Sequence, residues 1–109
     1  MNARGPVFVY GITDPRDGRP RYIGSSNNPK RRWSAHYAAG YGAAKSMRAW
    51  VRELRDGGHR PGLVILERVA DGHDAAEREA FWIDAAQRLG IALLNVKPAH
   101  YPFEVTVAA

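Results

Sequence analysis

The chain contains no cysteine, which excludes disulfides and thiolate metal sites. It has no apolar run near the roughly 20 residues that a membrane-crossing helix needs. Its first residues, Met-Asn-Ala-Arg-Gly-Pro, lack the apolar stretch of a secretory signal. A cytoplasmic location is therefore expected, with no membrane among the partners. The four histidines, at positions 36, 59, 73 and 100, show no zinc-like pairing. There is no P-loop, no dinucleotide fingerprint and no G-x-S-x-G elbow. Gly24-Ser25-Ser26 offers hydroxyls, but no histidine and carboxylate accompany them in a nucleophile pattern. Repeats, low-complexity tracts and interdomain linkers are absent too. With 109 residues there is room for one core, so a single domain over residues 1–109 is expected, its core at about 6–97.

Acidic residues are scarce in the first half. Residues 1–55 hold 11 Lys and Arg against 3 Asp and Glu, a balance of +8. Residues 56–109 hold 5 against 8, a balance of −3. A polyanion would meet the N-terminal half, although a basic face also serves solubility.

Pro6-Val7-Phe8-Val9-Tyr10-Gly11-Ile12-Thr13 is rich in β-branched and aromatic residues and reads as a strand. Residues 14–20 carry turn chemistry in Asp14-Pro15 and Asp17-Gly18. Arg21 to Ser25 returns as a second strand, completing a hairpin. Asn28 is placed to cap a helix that begins at Pro29 and runs to about Ala38. Gly40 and Gly42 interrupt the chain. A second helix is expected from about Ala43 to Asp56, because Met47, Trp50, Val51 and Leu54 recur at i, i+3, i+4 and i+7. Residues 62–66 read as a buried central strand. A third helix is expected from about Asp74 to Leu89, stopped by Gly90, and Ile91 to Asn95 as a short extended return. The order ββααβα predicts a small α/β layer fold: a three-stranded, partly antiparallel sheet flanked by helices.

Within the third helix, Asp74 and Arg78, like Asp84 and Arg88, stand at i, i+4 and suit surface ion pairs. Glu79 is different. Its helical neighbours Ala76, Trp82 and Ile83 place it beside the apolar face. A carboxylate there needs a cation, from an arginine or a metal, unless it reaches water at the stripe's edge. On the first helix Lys30, Arg31 and Arg32 are consecutive, and Arg32 shares a face with His36 at i, i+4. An arginine beside a histidine suits phosphate binding and stabilisation of developing charge; a solvated basic helix with a packed Trp33 is the plainer reading. Tyr10 shares a strand face with Phe8 and Ile12. Tyr22 shares one with Gly24 and Ser26, small residues that let a ligand approach. Each tyrosine alone is most simply a packing residue.

In combination the order is specific. Phe8-Val9-Tyr10-Gly11-Ile12-Thr13, a short loop, Tyr22-Ile23-Gly24-Ser25-Ser26, then Asn28 through His36, resembles the signature of the GIY-YIG nucleases. Val64-Ile65-Leu66-Glu67, Glu77 through Ile83, and Leu94-Asn95 resemble that family's second half and closing asparagine motif. The resemblance spans about residues 6–97. It implies a phosphodiester hydrolase with one divalent metal, Mg²⁺ or Mn²⁺, and DNA as substrate, in single-strand, duplex or branched form; RNA is the weaker variant. It implies Tyr10 and Tyr22 at the catalytic surface, with Tyr10 activating water. It further implies Arg32 on the pentavalent phosphate, His36 one turn later, Glu79 on the metal, and Asn95 supporting the site by hydrogen bonds. The sequence departs from the family at Phe8 and Val9, where the first motif has glycine and isoleucine, and at Gly40 to Ala43, where some members carry a polar residue.

Two other classes fit the same residues: a nucleic-acid-binding module without catalysis, and a structural or protein-interaction domain. For docking, Arg21, Lys30 and Arg31 flank the implied site, and Lys45, Arg48, Arg52 and Arg55 form a stripe beside the apolar one on the second helix. That stripe is expected to track phosphates without choosing sequence. A partner protein or self-association is the expected source of specificity.

Overall fold

The structure is a computed structural model that describes residues 5–39 and 45–95, with side chains described for 5–34 and 45–95. The elements are β1 (Val7–Thr13), β2 (Pro20–Ser26), α1 (Pro29–Ala39), α2 (Lys45–Asp56), β3 (Gly62–Val69), a 3-10 turn (Gly72–Asp74) and α3 (Ala75–Arg88). The expected order is realised. The interruption at Gly40 to Gly42, and Ala43 as the start of the second helix, fall outside the described residues. No described helix is long and apolar enough to cross a membrane.

The strands lie in the order β2-β1-β3, and both pairings are antiparallel; β1 is thus the central strand, and β3, expected to be central and buried, is an edge strand with Val64 and Ile65 exposed. β3 runs three residues past the expected end at Leu66. Within that extension Glu67 turns to α3 and accepts from Arg78 Nε at 2.9 Å and Trp82 Nε1 at 2.8 Å. The expected i, i+4 pair of Arg78 with Asp74 therefore does not form, because Arg78 turns to Glu67 on the sheet instead. Asp84 and Arg88 do pair, at 2.8 Å.

Because neighbouring residues of a strand face opposite sides, β1 feeds two cores. Tyr10 and Ile12 pack with Met47, Trp50, Val51 and Leu54 of α2, the four positions that the helical spacing marks. Val9 packs with Ile23, Val69 and Ala86, flanked by Trp82 and Ile83 of α3. Burying a side chain such as Leu54 contributes about 1.5–3 kcal/mol.

The hairpin turn is tied to α2. Asp14 is 2% exposed. It accepts from the Arg16 backbone N at 2.9 Å, Arg16 Nε at 2.9 Å and Nη2 at 2.8 Å, and Trp50 Nε1 at 3.3 Å. Arg16 Nη1 continues to Glu53 at 2.7 Å. Bonding to Arg16 and Trp50 holds the Asp14 carboxyl well below the usual carboxylate range. Gly18, at φ 76°, supplies the left-handed residue of the turn.

Residues 91–95, expected as a short extended return, form no strand, but they meet the outer edge of β2. Leu94 N donates to Arg21 O. Asn95 acts as a surrogate strand: its Oδ1 accepts from Ile23 N at 2.9 Å and its Nδ2 donates to Ile23 O at 2.7 Å.

Candidate active site

The site lies where β1, β2, α1 and α3 meet. Tyr10 pairs with Gly24 across the hairpin, and Ile12 with Tyr22, so both tyrosines project from one face of the sheet. Their ring centroids are 6.4 Å apart. Gly24 makes this possible, since its missing Cβ leaves the space that the two rings use. Tyr10 is fully buried, and its hydroxyl has no hydrogen-bond partner among the described residues. Burial, then the neighbouring Tyr22, push its phenol above the ordinary value, Arg32 pulls it down, and Glu79 pushes it up. Tyr22 is half-buried; its phenol is raised by burial and by Glu79 and lowered by Arg32. Arg32 and Glu79 thus lie within electrostatic reach of both phenols.

Glu79 stands on α3, in its first turn and a half. Ser25 Oγ on β2 donates to its Oε1 at 2.7 Å. The sequence marks Glu79 as a carboxylate in need of a partner but gives no sign of this one. A serine in Gly-Ser-Ser reads as a nucleophile or a turn residue until the strand pairing is known. Arg32 is exposed on α1, as are Lys30 and Arg31, and α1 is capped by Asn28, whose Oδ1 accepts from Arg31 N at 3.2 Å. The His36 side chain lies outside the described residues. Asn95 holds the β2 backbone at Ile23, between Tyr22 and Gly24.

Of the expected docking residues, Lys45, Arg48, Arg52 and Arg55 are all exposed on α2, opposite its buried stripe. Arg21 is turned inward instead. Its Nη1 lies 3.7 Å from Asp14, and its Nε is buried without a hydrogen-bond partner. The turn geometry that buries Asp14 draws it there, which periodicity alone does not reveal.

Among the described residues, no three His, Asp or Glu side chains cluster as a metal cage. The donor set suits a hard oxygen-seeking ion held by one oriented carboxylate, with phosphate and water completing the shell. Glu79, oriented by Ser25, has that character.

A three-stranded antiparallel sheet that presents two tyrosines, an arginine and a glutamate at one junction defines a small α/β catalytic-domain type. The chain matches the GIY-YIG catalytic domain over residues 6–92, and it belongs to that nuclease family. No curated protein and no solved structure matches it.

Proposed function

We propose that the protein is a metal-dependent endonuclease that hydrolyses DNA phosphodiester bonds. The observation that carries this reading is the side-by-side placement of Tyr10 and Tyr22 on one sheet face, within electrostatic reach of Arg32 and Glu79, four groups drawn from β1, β2, α1 and α3.

Cleavage builds negative charge on the non-bridging oxygens and on the leaving oxygen. A divalent ion, Mg²⁺ or Mn²⁺, supplies Lewis-acid neutralisation of that charge when bound, and Glu79 is the residue to hold it. Arg32 grips the phosphoryl oxygens through its planar fork. In its present surroundings Tyr10 keeps its proton at neutral pH and is fully buried, so its phenol serves as a hydrogen-bond donor only once water or phosphate enters against it. Acting as a base requires the contributions that raise it to be offset, and neutralising Glu79 removes one of them. Tyr22, half-buried beside it, is the second donor, and His36 a third group from α1. Asn95 keeps β2 in register beneath the tyrosines. Lys30, Arg31 and the α2 stripe supply sequence-independent affinity for the backbone.

The test is incubation of pure protein with single-stranded, duplex and branched DNA, with Mg²⁺ or Mn²⁺ and with chelator. Cleavage that requires metal, and that Glu79→Gln or Arg32→Ala reduces by at least about 100-fold, supports the reading. Salt-sensitive binding without cleavage on any substrate would replace it with a non-catalytic nucleic-acid-binding module.

A further inference from the structure

We propose that Ser25 is a positioning residue for Glu79, fixing the carboxylate that the nuclease reading above assigns to the metal. The proposal rests on that reading, and it begins from one row of the sheet. Val9 pairs with Ser25 on one side and with Glu67 on the other, so Ser25, Val9 and Glu67 form a line across all three strands on the face that α3 covers. Each flank of this line grips α3. On the β2 side, Ser25 Oγ donates to Glu79 Oε1 at 2.7 Å. On the β3 side, Glu67 accepts from Arg78 Nε at 2.9 Å and from Trp82 Nε1 at 2.8 Å. Val9, fully buried between them, is the apolar floor on which the helix rests.

Arg78, Glu79 and Trp82 occupy little more than one helical turn. Gripping both sides of a single turn opposes rolling of α3 about its axis, the motion that would shift Glu79 relative to the tyrosines. The Ser25 bond then acts on the side chain itself. A glutamate has several staggered conformers, and a hydroxyl donating to one oxygen selects among them and orients the carboxylate plane. An ionised carboxylate has about four lone-pair directions, so acceptor capacity remains for a cation. Hydrogen bonds that orient a metal-binding carboxylate in this way tune its affinity.

Ser25 is not read as a nucleophile. Its proton goes to a carboxylate, and no described histidine stands behind it. A short hydroxyl side chain is what this half-buried strand position needs: Ala removes the donor, while Thr keeps it.

The experiment is a Mn²⁺ titration of the full chain, followed by the paramagnetic resonance signal of the free ion, on wild type, Ser25→Ala, Ser25→Thr and Glu79→Gln. The Mg²⁺ dependence of DNA cleavage is measured in parallel. Wild type should bind one Mn²⁺ in a Glu79-dependent manner. Ser25→Ala should weaken that binding by about 10-fold or more and raise the Mg²⁺ needed for half-maximal cleavage by a similar factor. The rate at saturating metal should stay close to wild type, and the melting midpoint should not change. Ser25→Thr should restore the metal dependence. Ser25→Ala that binds Mn²⁺ like wild type overturns the proposal. So does a defect that no amount of metal repairs, or one that Thr fails to restore. Wild type that binds Mn²⁺ through Glu79 yet cuts no DNA refutes the nuclease reading alone, and the Ser25 comparison still decides the positioning role. Wild type with no Glu79-dependent Mn²⁺ binding overturns the positioning role even if DNA is cut.

Discussion

Gly24 lies against the phenol of Tyr10, its partner across the hairpin. A Cβ at position 24 would stand 2.8 Å from the Tyr10 hydroxyl oxygen and 3.0 Å from both Tyr10 Cζ and Tyr22 Cε2. One methyl group would therefore move both tyrosines. Gly24→Ala should fold with a loss of about 1–3 kcal/mol from overpacking. Because a displacement near 1 Å is enough to misalign reacting groups, cleavage should fall by about 100-fold. Thermal melting and a cleavage assay on the same preparation check both halves; unaltered activity would show that the tyrosine placement is not critical.

Tyr10 gives a prediction with two opposite signs. Its hydroxyl is buried with no partner among the described residues, and such a group costs stability. Tyr10→Phe should be about 1 kcal/mol more stable in denaturant melts while losing activity. The raised phenol also fixes a pH window. A folded value above the unfolded one means that stability is fully present below about pH 10 and is lost as pH rises through the folded value. Tyr10→Phe should remove that part of the alkaline loss. A variant less stable than wild type at neutral pH would mean that the hydroxyl has a partner in solution.

Asp14 sets the acid limit of the hairpin. Its folded value lies well below the ordinary carboxylate range, so its contribution is present above the unfolded value near 3.9 and drains away as pH falls below it. Asp14→Ala leaves Trp50 Nε1 buried without its acceptor and should cost about 1–3 kcal/mol. Urea midpoints of wild type should drop between about pH 4 and pH 2, while those of the variant should change less over that window. Parallel curves would remove Asp14 from the acid response.

The α2 stripe predicts a salt signature. Arg48→Ala with Arg52→Ala, both at exposed positions, should leave the fold intact and weaken DNA binding. For each phosphate contact removed, the slope of log affinity against log salt should fall by about 0.7–0.9. An unchanged slope in a folded double variant would move the docking surface elsewhere.

The parts legible in the sequence are those set by local periodicity. The spacing of Met47, Trp50, Val51 and Leu54 marks α2's buried face residue for residue, and strand alternation puts Tyr10 with Ile12 and Tyr22 with Gly24. Features set by pairing between distant segments were not legible. Glu67 and Arg78 meet because β3 lies beneath α3, although in sequence Arg78 has a nearer acid at Asp74. Arg21 reads as a docking cation, but the folded turn brings it to Asp14. Asp14 itself reads as an ordinary turn residue, since nothing local shows that Trp50 will cover it. At the site, the sequence marks Tyr10, Tyr22, Arg32 and Glu79, yet the burial of Tyr10 and the bond from Ser25 to Glu79 appear only once the sheet is assembled.

The Asn95 clasp has a consequence for how the chain is made. The hairpin strand that it covers emerges from the ribosome 72 residues earlier. At ordinary synthesis speeds the edge of β2 stays open for roughly 4–14 s. During that interval the backbone groups of Ile23 must be satisfied by water or by whatever else arrives. The hairpin is therefore an early product that Asn95 seals later, and the seal uses one amide side chain to do the work of a strand.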